Sequence, residues 1–570
     1  MKKAALLLTV LVLFACAKTE QPAADTAATR SSDKLEIKAD VPSRLAKLPK
    51  TVIDYDHSLL NAEEQQVVAK LIEASKEIDE IYWMQVSEEN LALRDRLAKQ
   101  AASGPLDQAG NDYFVANKGK WDRLAKDEAF IAPFDKKPEG AAFYPKDMKK
   151  EELEKFVADH PDQKAAIEGL FTVIRRDASS NALTAIPYSV YYKEHLDKCA
   201  AKLREAAALT TNASLKDYLT KLADAFGRDN YRDSDIAWMD LQGPIEAVIG
   251  PYEVYEDEMF NYKASFESFI TVVDKPESDK LTAYAQHLPA MEMNLPEPDE
   301  YKNKNRGTDS PIRVVQEIFT AGDARRGVQT SAFNLPNDEV VREQKGSKKV
   351  LLKNVMDAKY RMSGAPIAQR LLDPSQLPLL SFDAYFNHVL FHELSHGVGP
   401  GLIPNPANKA ERVDTRTLLK NLYSAIEECK ADVLGQWNML YARDHKLLTS
   451  FDEKQQWVTY AGLMFRSMRF GIDEAHGRGT AVQWNWMREK GAIVPAANGT
   501  FSVDFTKARP ALQSLATELL TIEATGDFAR GEAFLNKYGV SNAEIDNTIK
   551  GLPENIPVDI TPVFAAAGEK

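Results

Sequence analysis

Residues 392–396 read His-Glu-Leu-Ser-His, and that spacing commits the local backbone to a helix. Histidines four apart lie one turn apart on one helical face, where both imidazoles can reach a common metal ion. Ser381 is placed to cap such a helix, and Gly397 and Gly399 to end it. Glu393 sits beside the pair as a candidate base. A catalytic zinc takes a third protein ligand and keeps one position open for water, so a second element carrying an acid must pack against this helix. The stretch 419–434 supplies one. Its apolar stripe runs Leu419, Leu422, Ile426, Cys429, Val433 and on to Trp437, which makes Cys429 a core residue. Glu428 and Asp432 lie four apart on an adjacent face. One of them can bind metal while the other, with Glu427 beside it, reaches a ligand histidine. His388, also one turn from His392, is a rival third ligand.

A chain of 570 residues is long enough for two to four domains or two large lobes. Lys+Arg 71 against Asp+Glu 84 gives a net charge of −13, which removes the basic field that nucleic acid requires. Three cysteines, at 16, 199 and 429, cannot build a disulfide framework.

At the start of the chain, Lys2 and Lys3 precede an apolar run from Ala4 to Ala15, too short for a membrane span and of the form of a secretory signal. The run ends Leu13-Phe14-Ala15-Cys16, which resembles the bacterial lipobox, so residues 1–16 are expected as a lipoprotein signal with Cys16 as the lipidated anchor. Ala17 is not Asp, which favours a periplasm-facing lipoprotein of the outer membrane. Residues 17–50 are expected as a flexible tether, since 18–40 are rich in Ala, Thr, Ser, Asp and Gln. No later segment approaches 18 uncharged apolar residues.

Helical periodicity recurs at Asn61–Val86, Glu151–Ile174 and Leu196–Phe226, with β-like runs at Ala182–Tyr192 and Phe269–Val273. Pro and Gly clusters near Ala132–Pro145 and the stretch Leu295–Asn305 mark loops. The expected fold is α+β, mainly α, in two lobes separated by a wide cleft: a mixed α/β lobe over 51–345 with substrate-binding elements, and a mainly helical zinc lobe over 346–570. No internal repeat is present.

The pair His-Glu-Leu-Ser-His at 392–396 and Glu-Glu-Cys-Lys-Ala-Asp at 427–432 closely resembles the dipeptidyl peptidase III family of zinc exopeptidases. Further echoes lie at Gly243–Gly250, Phe333–Asn337, Glu474–His476 and Thr525–Asp527, so the resemblance covers roughly half the chain. It implies that His392, His396 and Glu428 hold one zinc ion per chain and that Glu393 polarises the attacking water. It also implies that Glu246, Asn334 and Asn337 hold the free amino terminus of a peptide, and that His476 assists the reacting carbonyl. Two departures stand out. Family members commonly have one more residue before the second histidine, and their tyrosine after Glu246 aligns here with Val248, which leaves Tyr252 or Tyr255 as its replacement.

These observations together point to zinc-dependent hydrolysis of peptides, with release of amino-terminal dipeptides, and to a membrane attachment through lipid alone. The rival readings are an aminopeptidase or endopeptidase with the same zinc ligands, and a lipoprotein that binds peptide or metal without turnover.

Overall fold

The computed structural model describes residues 34–304, 312–496 and 498–569; the signal with Cys16, and residues 17–33 of the expected tether, lie outside the described residues. The rest of that tether is folded. Ile37 bridges to Ile131, Val41 and Leu48 are buried among Trp83, Tyr113 and Phe130, and Lys50–Ile53 forms strand β1. Three apolar residues spaced through a polar stretch carry no periodicity, yet each fills a pocket in a helical cluster.

The first lobe is organised by helix α1, Ala62–Val86. Asn61 accepts a hydrogen bond from the Glu64 amide while the Glu64 carboxylate accepts one from the Asn61 amide, which satisfies two otherwise orphaned donors. The expected helix over 151–174 is broken. It runs Lys150–Asp159 and Lys164–Ile167, then gives way to a strand at Thr172–Arg176, because Pro161 disfavours helix at His160 and Gly169 lies in the turn that follows. Helix α2, Lys193–Leu209, packs against α1.

Strands β2 (Ile245–Glu253), β3 (Ser265–Val273), β4 (Ile312–Gly322), β5 (Ala332–Leu335) and β6 (Lys348–Leu352) form one sheet in the order β2-β3-β4-β6-β5. Only β4 and β6 run parallel. Every residue of β3 is buried, its polar Ser265, Glu267, Ser268 and Thr271 included, so the strand is covered on both faces. Strand β5 is an edge.

The second lobe is built from helices α3 (Phe382–Ser395), α4 (Tyr423–Asp444), α5 (Glu453–Met468), α6 (Ala475–Glu489) and α7 (Phe505–Thr525) around a second apolar core. The expected division at 345/346 is crossed in both directions. β6 completes the first lobe's sheet, whereas helices Lys275–Gln286 and Leu288–Met293 bury Tyr284, Leu288 and Met291 in the core of the second. The chain then returns: strand β7, Thr561–Phe564, pairs in parallel with β1.

Glu317, in the middle of β4, is 3% exposed, and burial pushes its carboxyl up to about 8 despite Arg325 and Lys359 nearby. The unfolded chain releases this proton near pH 4.3 and the folded one holds it to about 8, so stability falls as pH rises through that window. Glu317→Gln removes the slope. Chemical denaturation at pH 5 and pH 8 should show the variant gaining on the wild type by on the order of 3 kcal/mol across the interval; parallel curves would contradict a neutral Glu317.

Candidate metal centre and substrate groove

Ser381 caps α3 by accepting a hydrogen bond from the Ala384 amide, and the helix runs to Ser395, with His396 as its closing residue. This places the Nε2 atoms of His392 and His396 3.0 Å apart. From α4, Glu428 brings its Oε2 to 3.4 Å from His392 Nε2 and 3.8 Å from His396 Nε2. The far sides of both rings are fixed: His392 Nδ1 lies 2.8 Å from Asp432 Oδ1, and His396 Nδ1 lies 2.9 Å from Glu427 Oε1.

That pattern decides what the centre can hold. When both rings are neutral, with Nδ1–H donating to a carboxylate on each, both Nε2 atoms carry lone pairs aimed at one point, where Glu428 Oε2 is buried without a hydrogen bond. Three electron-rich atoms this close need a cation between them. Ligand edges of 3.0, 3.4 and 3.8 Å bracket the roughly 3.3 Å expected around a tetrahedral ion with bonds of about 2.0–2.1 Å. Among the described residues this is the one group of three or more His, Cys, Asp or Glu side chains so placed. The donor set, two imidazoles and a carboxylate, suits zinc.

The surrounding charges serve the ligands. Burial alone would push the His392 imidazolium down, but Asp432, with Glu428, holds it up at about 10, so without a metal this ring keeps a proton that a bound cation would replace. Burial opposes ionisation of Asp432, yet His392 and His388 keep it well below the usual carboxylate range. Gln483 Nε2 donates to its other oxygen at 2.9 Å. Glu427 is likewise held at about 2 against burial, chiefly by Lys430, whose Nζ is 2.8 Å away.

His388 is not a ligand. Its Nε2 faces Asp432 Oδ1 at 3.3 Å, one turn too far along α3 to reach the other two histidines' focus. Cys429 is fully buried, as its stripe predicts.

Glu393 meets a residue from the other lobe. Lys349 Nζ of β6 lies 2.8 Å from its Oε2, and this ammonium, with His392, outweighs burial and holds Glu393 below the ordinary carboxylate range. His476, at the start of α6, turns Nε2 to 3.3 Å from Glu428 Oε2 and anchors Nδ1 on Glu474 at 2.7 Å. Its side chain is more than half exposed, on the open side of the centre.

The expected substrate-binding residues divide. Asn334 is exposed on edge strand β5 and opposite Lys349 in the register, hence on the face that looks at Glu393. Glu246 is buried in β2 with Lys348 Nζ 3.2 Å from its carboxylate. An ammonium arriving there meets a cation already in place. Asn337 donates to the Tyr252 carbonyl at 3.0 Å and to Glu253 at 3.3 Å. Tyr252 lines a separate cavity with Asn337 and Glu253, and Tyr255 is 68% exposed; neither lines the cavity at the metal centre, and Val248 is buried within the first core. Lys349, Gln483 and Glu474 carry no signal that sequence reasoning singled out as functional, although Glu474 lies in one of the quoted motifs.

The helices carrying this centre are held in close contact by glycines. A Cβ at Gly435 of α4 would stand 2.9 Å from the His392 amide nitrogen, and one at Gly479 of α6 would stand 3.1 Å from that of Cys429.

Peptidase family M49 matches residues 175–412. The solved structure of DPP III from Caldithrix abyssi superposes with a TM-score of 0.86 at 47% identity, covering 92% of this chain and 99% of that one. Nudix hydrolase 3 of Arabidopsis thaliana is 37% identical over 556 residues, which are 89% of this chain and 72% of the plant protein. Dipeptidyl peptidase 3 of Homo sapiens is 24% identical over 404 residues, 61% of this chain, and the match spans about half (54%) of the human protein.

Gly435→Ala is expected to wedge α3 from α4. Competition with a chromophoric chelator should show zinc held at least about tenfold more weakly, by the scale of ligand-positioning losses, with the far-UV spectrum preserved; unchanged affinity would remove the glycine contact from the account.

Proposed function

We infer, for a chain that belongs to the dipeptidyl peptidase III family of metallopeptidases, that it is a zinc-dependent exopeptidase releasing dipeptides from the amino termini of short peptides. The observation that carries this reading is the shared focus of His392, His396 and Glu428 with an ionised Glu393 beside it. Zinc bound there supplies Lewis acidity toward a peptide carbonyl and lowers the pKa of a water molecule toward about 7.

The chain's own residues do the rest. Glu393 accepts the proton of the attacking water and later returns it to the leaving amine, so a carboxylate kept ionised by Lys349 is in the required state. The negative charge developing on the carbonyl oxygen falls within reach of His476 Nε2, whose ring is oriented through Nδ1 by Glu474. Asp432 and Glu427 keep the two ligand imidazoles aimed. Asn334 and Asn337, from one edge strand and the loop after it, are suited to hydrogen-bond the first backbone groups of a peptide lying along β5. If that edge fixes the amino terminus, the bond after the second residue lies at the metal.

Glu393→Gln should lower kcat by at least about 10³-fold with zinc content unchanged, a loss typical of a removed general base. Mass spectrometry of products from an unblocked octapeptide checks the mode of cleavage: intact amino-terminal dipeptides are expected, abolished by chelator and restored by zinc. Single residues or internal cuts would mean an aminopeptidase or endopeptidase with the same zinc ligands.

The apolar run Ala4–Ala15 followed by Cys16 supports a lipid anchor that holds the enzyme at the cell envelope, facing the periplasm. Cys16→Ser should move the full-length protein from the membrane to the soluble fraction and abolish incorporation of labelled fatty acid; labelling that survives the change would discard the anchor.

A further inference from the structure

Arg466, near the end of α5, lines the same cavity of about 230 Å³ as His392, Glu393, Tyr385 and Ser331. It is half-buried, and its guanidinium lies 5.9 Å from the ring of Tyr385. No carboxylate among the described residues forms an ion pair with it. Its cationic neighbours are differently placed: Lys359 is paired with Asp559 at 2.9 Å, and Arg469 donates to the carbonyls of Pro557 and Val558. Lys359 and Arg469 share the nearby Asp559, and both lie close enough to Arg466 for its like charge to oppose theirs, so the corner carries excess positive charge. Burial and the adjacent Arg466 push Arg469 down to about 10. A guanidinium with no acid of its own, opening on a reaction cavity, is a site for an anion from outside.

Its position along the groove sets which anion. Tyr385 and His392 are seven residues apart on α3, so Arg466 stands about 10 Å along that helix from the metal centre at a rise of about 1.5 Å per residue. An extended peptide covers this in about three residues. On the reading above, the amino terminus lies toward Asn337, and β5 then runs back through Asn334 to Ala332 and Ser331, the end that lines the cavity with Arg466. The chain of a substrate therefore leaves the metal centre in the direction of this guanidinium.

We propose that Arg466 binds a substrate carboxylate about three residues beyond the cleaved bond, and so favours peptides whose carboxyl terminus, or an acidic side chain, falls there. This inference rests on the dipeptide-releasing reading for its direction, but not on turnover for its test. For a peptide cut after its second residue, the favoured carboxylate belongs to residue five.

The experiment compares a pentapeptide acid with its carboxamide, and an octapeptide amide bearing Glu at position five with its Gln counterpart. In zinc-loaded enzyme, the acid of the first pair and the Glu peptide of the second should have kcat/KM about tenfold higher, expressed mainly in KM. Arg466→Gln should erase both differences and Arg466→Lys should keep part of them, while hydrolysis of a dipeptidyl arylamide, which carries only an uncharged aromatic amine and no carboxylate beyond the cleaved bond, stays within twofold. Preference for the acid without preference for Glu assigns the site to the carboxyl terminus alone. Equal rates in the wild type, or a preference that survives Arg466→Gln, overturn the proposal. Calorimetric titration of both pairs into Glu393→Gln, with and without Arg466→Gln, reads the same discrimination without cleavage, so failure of dipeptide release and failure of carboxylate recognition give different results.

Discussion

With both rings neutral, two imidazole lone pairs and a carboxylate oxygen confined within 4 Å of one another repel in a partly buried site unless a cation lies between them, and the second lobe is arranged so that they cannot move apart. Each ring is held from behind by its own carboxylate, Asp432 for His392 and Glu427 for His396. Those carboxylates are in turn held by Gln483, His388 and Lys430. Removing Lys430 would take away the cation that Glu427 is buried against, which costs more than the pair itself contributes. The arrangement is therefore cooperative: a cation at the focus satisfies Glu428 Oε2 and relieves the repulsion for which all the other contacts are oriented.

Backbone proximity is what makes the cluster possible. Ligand side chains as short as glutamate converge from two helices only if the helix axes approach closely, and Gly435 provides that by leaving no Cβ between α4 and the amide of His392. Gly479 does the same between α6 and α4, which brings His476 to Glu428. The apolar residues of α4 then bury Ile426, Cys429, Val433 and Leu434 on the opposite side. One helix thus carries a core stripe and an ionic face, and the stability of the first holds the second in register.

The local part of this centre was legible in the sequence because helical periodicity is local. The spacing 392/396, the serine cap, the acid run at 427–432 and the burial of Cys429 follow from 3.6 residues per turn. The parts that come from afar were not legible. Lys349 reaches Glu393 only because β6 crosses from the first lobe's sheet, and no pattern in Lys348-Lys349-Val350 distinguishes that lysine from a solvated one. Arg466 reads as one more charge on an amphipathic helix. Residues 34–50 read as tether because their composition is polar, although Ile37, Val41 and Leu48 are each fully used by a core whose other members lie up to 94 positions away. At 151–174 the apolar spacing fits a helix well, but Pro161 and Gly169 end it and the remainder pairs as a strand. Glu246 is the instructive case among the expected substrate residues. Its position in β2 was readable, but the lysine that neutralises it was not, because the two are 102 residues apart.

The two lysines at 348 and 349 follow from a single constraint. Successive side chains of a strand point to opposite faces, so the residue next to Lys348, which is buried against Glu246, must point the other way, toward α3. Cross-strand pairing places Asn334 beside Lys349 on that same face. A peptide laid along the edge of β5 is then aligned by the strand that also carries the cation holding Glu393 ionised. A slip of one residue in β6 would exchange the two lysines, remove the counter-charge of buried Glu246 and withdraw the partner of Glu393 together. Register in the first lobe and the protonation state of the candidate base in the second are in this way one structural variable, and the ion pair Lys349–Glu393 is where the two lobes share it.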